Sequence, residues 1–183
     1  AIALHLDEFE RNVRAFADRE GLTYDLVHSH YWMSGVSGAR HAERWSAPHV
    51  VMFHTLAEVK MRARLSESEP PARIAAERAI AASASAIVVA SEHEKHLLTS
   101  LYAAPEHAIN VVPCGVDLDL FTPSDKSQAR LALGLRDGER IILFVGRIEP
   151  LKGIDILISA AAQLHDDENF KVLIVGGDAR TAV

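Results

Sequence analysis

The sequence predicts an α/β chain of parallel sheets flanked by helices, divided between two domains. Three observations predict it. Short apolar runs alternate with longer amphipathic ones along the whole chain, the pattern of repeated βαβ units. The segment PCGVDLDLFTPS at 113–124 breaks that pattern with two prolines, a glycine and two acids, and reads as a crossover between two sheets. Finally, most strand-like runs end in polar residues or glycine, as a ligand rim at the carboxyl ends of parallel strands requires.

The elements follow in order. Leu6, Phe9, Val13 and Phe16 have helical spacing and predict a helix over 7–20. A strand over 26–29 ends in Ser29-His30-Tyr31, and a helix follows over 35–45. The strand over 49–53 ends in His54-Thr55. Pro70-Pro71 breaks the chain, so 67–71 reads as an exposed loop before a closely packed, alanine-rich helix over 71–83. A strand over 86–90 leads into a helix over 92–102, with Ser91 and Glu94 at capping-box spacing. A strand over 109–112 runs into Pro113-Cys114-Gly115. Past the crossover, Asp125 and Gln128 cap a helix over 125–133, and a strand over 141–145 ends in Gly146-Arg147. A helix over 154–165 and a strand over 172–175 follow, the latter ending in Gly176-Gly177-Asp178. The domains are placed at 1–118 and 119–183.

Composition narrows the function classes. The 183 residues could bury one ordinary core or two small ones. Hydrophobic content of 49% with 24% charged residues describes a soluble globular protein. A net charge of −6 leaves no basic excess for a nucleic-acid backbone, so any phosphate site must be local. No apolar run approaches the ~20 residues that span a bilayer. The single cysteine, Cys114, allows no internal disulfide and fits a reducing, cytoplasmic setting. The N-terminal stretch lacks a basic leader and is not a signal peptide. Both ends read as cut: the first residues enter helical periodicity without a Met, and the last ones stop just after a strand. The chain is therefore expected to be an internal fragment.

The strongest chemical signal is IILFVGRIEPLKGIDILI at 141–158. A strand, a glycine, the cations Arg147 and Lys152, and a helix start at Gly153 form a layout that holds an anion. The helix N-terminus adds unpaired N–H groups and partial positive charge. The same residues also fit an ordinary solvated loop. Neither a Walker-type loop nor a G-x-G-x-x-G occurs. His28 and His30 share a strand face and could form a metal site with His54, although one packed and one cleft-lining histidine is the plainer reading. His54 itself could bond a sugar hydroxyl or take a proton, or simply be satisfied by backbone. Arg73 and Glu77, four apart on a helix, fit a surface ion pair. Tyr31 and Trp32 fit either ligand stacking or packing, and Cys114 has no neighbouring base to make it a nucleophile.

Taken together, DLVHSHYWMSG, PHVVMFHTLAEVK, AIVVASEHEK, INVVPCGVDLDLFTP and FVGRIEPLKGIDILISA resemble, in order, the retaining glycosyltransferases of family 4. The nearest likeness is to the branch of sucrose-phosphate synthase and D-inositol-3-phosphate glycosyltransferase. The resemblance implies two Rossmann-like domains of GT-B type, both incomplete here: the later part of an acceptor-binding domain, then the first part of a nucleotide-sugar domain. It implies transfer of a hexose from a UDP- or GDP-type sugar donor to a small phosphorylated sugar or polyol acceptor. A lipid or polysaccharide acceptor, or a non-catalytic sugar-nucleotide-binding fragment, remains the alternative.

By the same resemblance, His54 is the active-site histidine near the donor sugar. Arg147 and Lys152 neutralise the donor diphosphate. Tyr31, Thr55 and Arg73 grip the acceptor phosphate, and Gly176 and Gly177 turn near the nucleotide. It implies no cofactor, no strictly required metal and no nucleic-acid partner. A glycine-rich loop would lie before residue 1 and an acidic pair beyond Val183, so the isolated chain is expected to lack useful transferase activity. A truncated sheet leaves open edges, which makes a homo-oligomer a possible state.

Overall fold

The computed structural model describes residues 5–63, 68–149, 152–164 and 170–177. The expectations for Glu67, Pro150, His165 and Asp178 concern positions outside the described residues. The chain divides into two compact units, Ala1–Val116 and Asp117–Val183.

The first unit contains α1 (Leu6–Glu20), β1 (Val27–His30), α2 (Tyr31–Trp45), β2 (His49–Met52), α3 (Ala57–Ala63) and α4 (Pro71–Ser83). It continues with β3 (Ala86–Val89), α5 (Glu92–Tyr102), a short 3-10 turn (Glu106–Ala108) and β4 (Ile109–Val111). The four strands form one parallel sheet in the order β1-β2-β3-β4. Each crossover joins neighbouring strands. Helix α2 therefore packs on β1 and β2, α5 packs on β3 and β4, and α4 sits between α2 and α5. Every predicted strand and helix of this unit is present, with two differences. Helix α2 begins at Tyr31, four residues before the predicted start, and α3 was not predicted.

β-Branched residues are concentrated in the inner strands β2 and β3 and in β4, as suits a parallel sheet covered by helices. Val51, Ile87, Val89 and Ile109 meet Ile80, Ala81, Leu98 and Tyr102 from α4 and α5 in the core. Burying a side chain such as Ile87 or Leu98 contributes roughly 2–3 kcal/mol. Helix α5 starts as expected, the Ser91 hydroxyl accepting from the Glu94 amide at 3.3 Å. The Glu94 carboxylate reaches back one residue further than a capping box requires, to the Ala90 amide at 2.6 Å. Helix α1 departs from its predicted apolar face: Phe9 and Phe16 are exposed, while Glu10 and Ala17 are buried. Ion pairs set that orientation, Arg40 of α2 lying 2.6 Å from Glu10 and Arg44 2.9 Å from Asp18.

Helix α2 approaches the sheet at Gly38, where a β-carbon would stand 2.9 Å from the His49 Nε2 and 3.0 Å from the Ser29 Cβ. This presses α2 onto a buried polar pair, Ser29 Oγ and His49 Nε2, at 2.7 Å. Burial, and then the neighbouring His28, hold the His49 imidazole below its ordinary value of 6.5. Burial does the same for the His41 imidazole against the opposing pull of Glu10, with Arg14 and Arg44 reinforcing the fall. A depressed histidine contributes stability above the unfolded value that is lost as pH falls through the folded one. The melting temperature is accordingly expected to hold near neutrality and drop as pH falls below about 6.5. Thermal melts across that range check this, and a flat profile would contradict it.

The second unit contains α6 (Lys126–Ala132), β5 (Arg140–Val145), α7 (Ile154–Ala162) and β6 (Phe170–Val175). Asp125 caps α6, its carboxylate accepting from the Gln128 amide at 2.9 Å. Strands β5 and β6 pair in parallel from Arg140↔Phe170 to Val145↔Val175. Between them α7 turns Ile154, Leu157 and Ala161 inward, each half-buried. Before β5, the buried Glu139 accepts from the Arg136 amide and guanidinium at 3.0 and 2.9 Å. Those bonds, with Lys171 behind them, hold its carboxyl down at about 2.

Candidate functional site

The carboxyl ends of β1 and β2 carry a polar cluster. His30 ends β1 and is paired in register with Met52 of β2. Two residues with side chains take left-handed backbone there, Tyr31 at φ 72° and His54 at φ 61°. Such geometry costs on the order of 1 kcal/mol or more per residue and concentrates at functional sites. It turns β1 directly into α2 and redirects the chain after β2, so the His30, Tyr31, His54 and Thr55 side chains share one rim.

The three histidines of the metal reading do gather. The His30 and His28 rings lie 4.4 Å apart, and those of His30 and His54 stack at 5.0 Å and 22°. His30 Nδ1 and His54 Nε2 are hydrogen-bonded at 2.8 Å, one ring donating and the other accepting. That bond engages one nitrogen of each ring, and among the described residues no group of three His, Cys, Asp or Glu side chains is placed to hold a metal ion. Burial, then His30 and His54, lower the His28 imidazole. The plain reading of His54, satisfied by backbone, is replaced by an imidazole partner that fixes its ring and leaves Nδ1 on an exposed side chain.

Arg73 and Glu77 are not a surface pair. Their side chains are 4% and 0% exposed, with Arg73 Nε donating to Glu77 Oε1 at 2.7 Å. Arg73 Nη2 donates to the Thr55 carbonyl at 3.1 Å and to its hydroxyl at 3.3 Å. Nη1 donates to Glu69 at 3.0 Å, and the guanidinium lies 5.1 Å from the centre of the Tyr31 ring. Tyr31, Thr55 and Arg73 thus form one contact cluster beside His54. Burial pulls the Arg73 value down, but the bond and charge of Glu77, with Tyr31 and Glu69, raise it overall. The cation is permanent.

Glu77 is the hub beneath this cluster. Its Oε2 accepts from the Ala57 amide at 2.9 Å and from the Tyr102 hydroxyl at 2.6 Å. The Tyr102 oxygen in turn accepts from the Glu58 amide at 3.0 Å. Burial and the Glu77 bond push the Tyr102 phenol well up, so it remains a donor. The first two amides of α3 are therefore capped from α4 and α5, which positions the Thr55 turn just before them. Sequence reasoning missed Glu69, Lys60, Glu77 and Tyr102 as parts of this cluster. One signal was available: Glu69, Arg73 and Glu77 stand at successive intervals of four, acid, base, acid.

In the second unit, β5 and β6 end side by side in two glycine turns. The Gly146 amide donates to the Val175 carbonyl at 2.9 Å. A β-carbon on Gly176 would fall 1.7 Å from the Gly146 carbonyl oxygen, so the two turns fit only without a side chain there. Gly177 follows at φ 137°. Arg147 projects outward, 73% exposed, with Nη2 3.1 Å from Glu149 Oε1. Lys152 is exposed beside the same turn, its Cγ 3.9 Å from where a Gly146 β-carbon would stand. Gly153 begins α7 at φ 69° as its N-cap. Arg147, Lys152, Gly176 and Gly177 thus lie on one edge of this unit.

Comparison with known proteins agrees with this architecture. Residues 3–120 match the family described as Glycosyltransferase Family 4, and residues 125–182 match Glycosyl transferases group 1. The chain is 48% identical to a D-inositol 3-phosphate glycosyltransferase of Mycobacterium sp. (strain KMS), over 90% of its own length and 37% of that protein. A relative of the same description from Kribbella flavida is 40% identical over 90% of the chain and 41% of its own length. The chain thus spans well under half the length of these curated relatives. Among solved structures, sucrose-phosphate synthase from Thermosynechococcus elongatus aligns with a TM-score of 0.80 at 30% identity, over 100% of this chain and 44% of that one. The Anabaena protein HepE, solved with UDP-glucose, shares the fold with a TM-score of 0.67 at 22% identity, over 92% of this chain and 43% of its own.

The parallel α/β units flanked by helices are those of the GT-B glycosyltransferases. The chain belongs to glycosyltransferase family 4.

Proposed function

We propose that the first unit binds a small phosphorylated sugar or polyol and the second a UDP-type sugar donor, in a retaining hexosyl transfer. The anomeric carbon exchanges its bond to the diphosphate oxygen for one to an acceptor hydroxyl, whose proton passes to the departing diphosphate. Arg147 and Lys152 stabilise the charge developing on that diphosphate. His54, its ring fixed by His30, offers Nδ1 to a donor-sugar hydroxyl. No metal or other cofactor has a part in this reading. A cytoplasmic setting accords with the single cysteine, Cys114.

The observation that carries the reading is the convergence of Tyr31, Thr55 and Arg73 at the ends of β1 and β2. A guanidinium fork, a hydroxyl and a phenol in contact form a shell suited to phosphate. The description of the relatives names D-inositol 3-phosphate, and the HepE structures hold UDP-glucose and UDP. The test is calorimetry on this chain with D-inositol 3-phosphate, unphosphorylated inositol, UDP and GDP. Thr55→Val is expected to weaken the phosphorylated inositol about tenfold, near 1.4 kcal/mol, and leave unphosphorylated inositol unchanged. Arg147→Ala and Lys152→Ala are expected to weaken UDP alone. Equal affinity for the two inositols would count against a phosphorylated acceptor, and tighter binding of GDP against a UDP-type donor.

A further inference from the structure

Arg73 is already saturated with partners, and one of them has the geometry of a stand-in. The Glu69 carboxylate bridges two cations, one oxygen accepting from Lys60 Nζ at 2.7 Å and the other from Arg73 Nη1 at 3.0 Å. Its side chain is 10% exposed, Lys60 is 36% exposed, and Glu77, on the other edge of the guanidinium, is fully buried. The two cations and two carboxylates sum to zero charge. A phosphate dianion meeting that set unchanged finds no net attraction, and Arg73 has no open edge for a two-pronged grip. Glu77 cannot leave, because the Ala57 amide and the Tyr102 hydroxyl hold it as well. Among the described residues, Glu69 has no comparable anchor beyond the two cations themselves.

We propose that Glu69 is a resident phosphate mimic, displaced when the acceptor phosphate takes its place between Lys60 and Arg73, and that Lys60 is a further phosphate ligand. The inference rests on the phosphorylated-acceptor reading and deepens it. After the exchange the phosphate lies against two full charges, the Thr55 hydroxyl and the Tyr31 side chain, with Glu77 still fixing Arg73 from behind. The exchange also sets specificity. An unphosphorylated polyol cannot replace an anion between two cations, so Glu69 stays and closes the subsite against it. The depressed value of the Glu69 carboxyl, caused first by the Lys60 bond and then, against the opposing effect of burial, by Arg73, accords with an anion held for its charge.

Calorimetry on the chain with inorganic phosphate, D-inositol 3-phosphate and inositol tests this. Glu69→Gln keeps the shape but removes the competing charge. It is expected to bind both phosphate probes about tenfold more tightly, with inositol unchanged. Glu69→Ala is expected to move affinity in the same direction, and Lys60→Met to weaken both phosphate probes about tenfold. If Glu69→Gln binds phosphate no better than the parent, or worse, Glu69 is a fixed support for Arg73 and the exchange is wrong. Should that variant fail to fold, unchanged phosphate affinity in Lys60→Met overturns the proposal instead. A parent chain that binds the two inositols equally removes the underlying reading and the exchange with it. A parent that prefers the phosphorylated form while Glu69→Gln does not tighten it removes the exchange alone.

Discussion

Replacing Glu77 with alanine is expected to destabilise the first unit by about 3–5 kcal/mol, the cost of stranding one partner of a buried ion pair. Arg73 would keep its charge at 4% exposure with its main counter-charge gone. The Tyr102 hydroxyl and the Ala57 amide would lose their acceptor in the same step. In a unit of this size such a loss lowers the melting temperature by roughly 10–20 °C. The pair Arg73→Met with Glu77→Met separates charge from packing. Two apolar side chains of similar volume should recover much of the lost stability while abolishing phosphate recognition. A single Glu77→Ala melting within about 2 °C of the parent would mean that the network contributes little.

The second large effect is expected at Gly176. A β-carbon there would lie 1.7 Å from the Gly146 carbonyl oxygen and 2.9 Å from its carbon, so Gly176→Ala cannot be absorbed by a side-chain movement. The ends of β5 and β6 must separate, breaking the bond from the Gly146 amide to Val175. The expected cost is about 3 kcal/mol or more, with the Gly146-Arg147 turn displaced. UDP affinity should fall at least about tenfold. Hydrogen exchange at the Gly146 amide should speed up in parallel. Gly115→Ala is the control, since nothing lies within 4 Å of a β-carbon there. Unchanged exchange at Gly146 in Gly176→Ala would show that the turns tolerate a side chain after all.

Most of the strands were legible because they are short, mainly apolar runs ended by a polar residue or glycine, a signal that is complete within the segment. What escaped depends on residues far away in the chain. Helix α3 has no cap of its own: its first amides are met by Glu77 and Tyr102, 20 and 44 residues on. The start of α2 escaped because the turn into it is made at Tyr31 by a positive φ that sequence signals assign to glycine or asparagine. Arg73 and Glu77 carry the spacing of a surface pair, and only tertiary packing makes them a buried one. The candidate site divides in the same way. Tyr31, Thr55 and Arg73 were named through resemblance and do meet, whereas the Lys60–Glu69 bridge joins α3 to a residue nine positions on, just before Pro70-Pro71, at no helical spacing. The face of α1 was misjudged because its ion pairs with α2 outweigh its phenylalanines.

The direct passage from β1 into α2 has a consequence for how such a site can diversify. No residue separates His30, the last of the strand, from Tyr31, the first of the helix. Most α/β proteins change ligand by lengthening or exchanging the loops at this edge. Here there is no loop to exchange, and an insertion would rotate the whole of α2, whose Gly38 already touches the sheet. Redesign for another acceptor must therefore proceed by replacing side chains in place, or through the short stretch between β2 and α3.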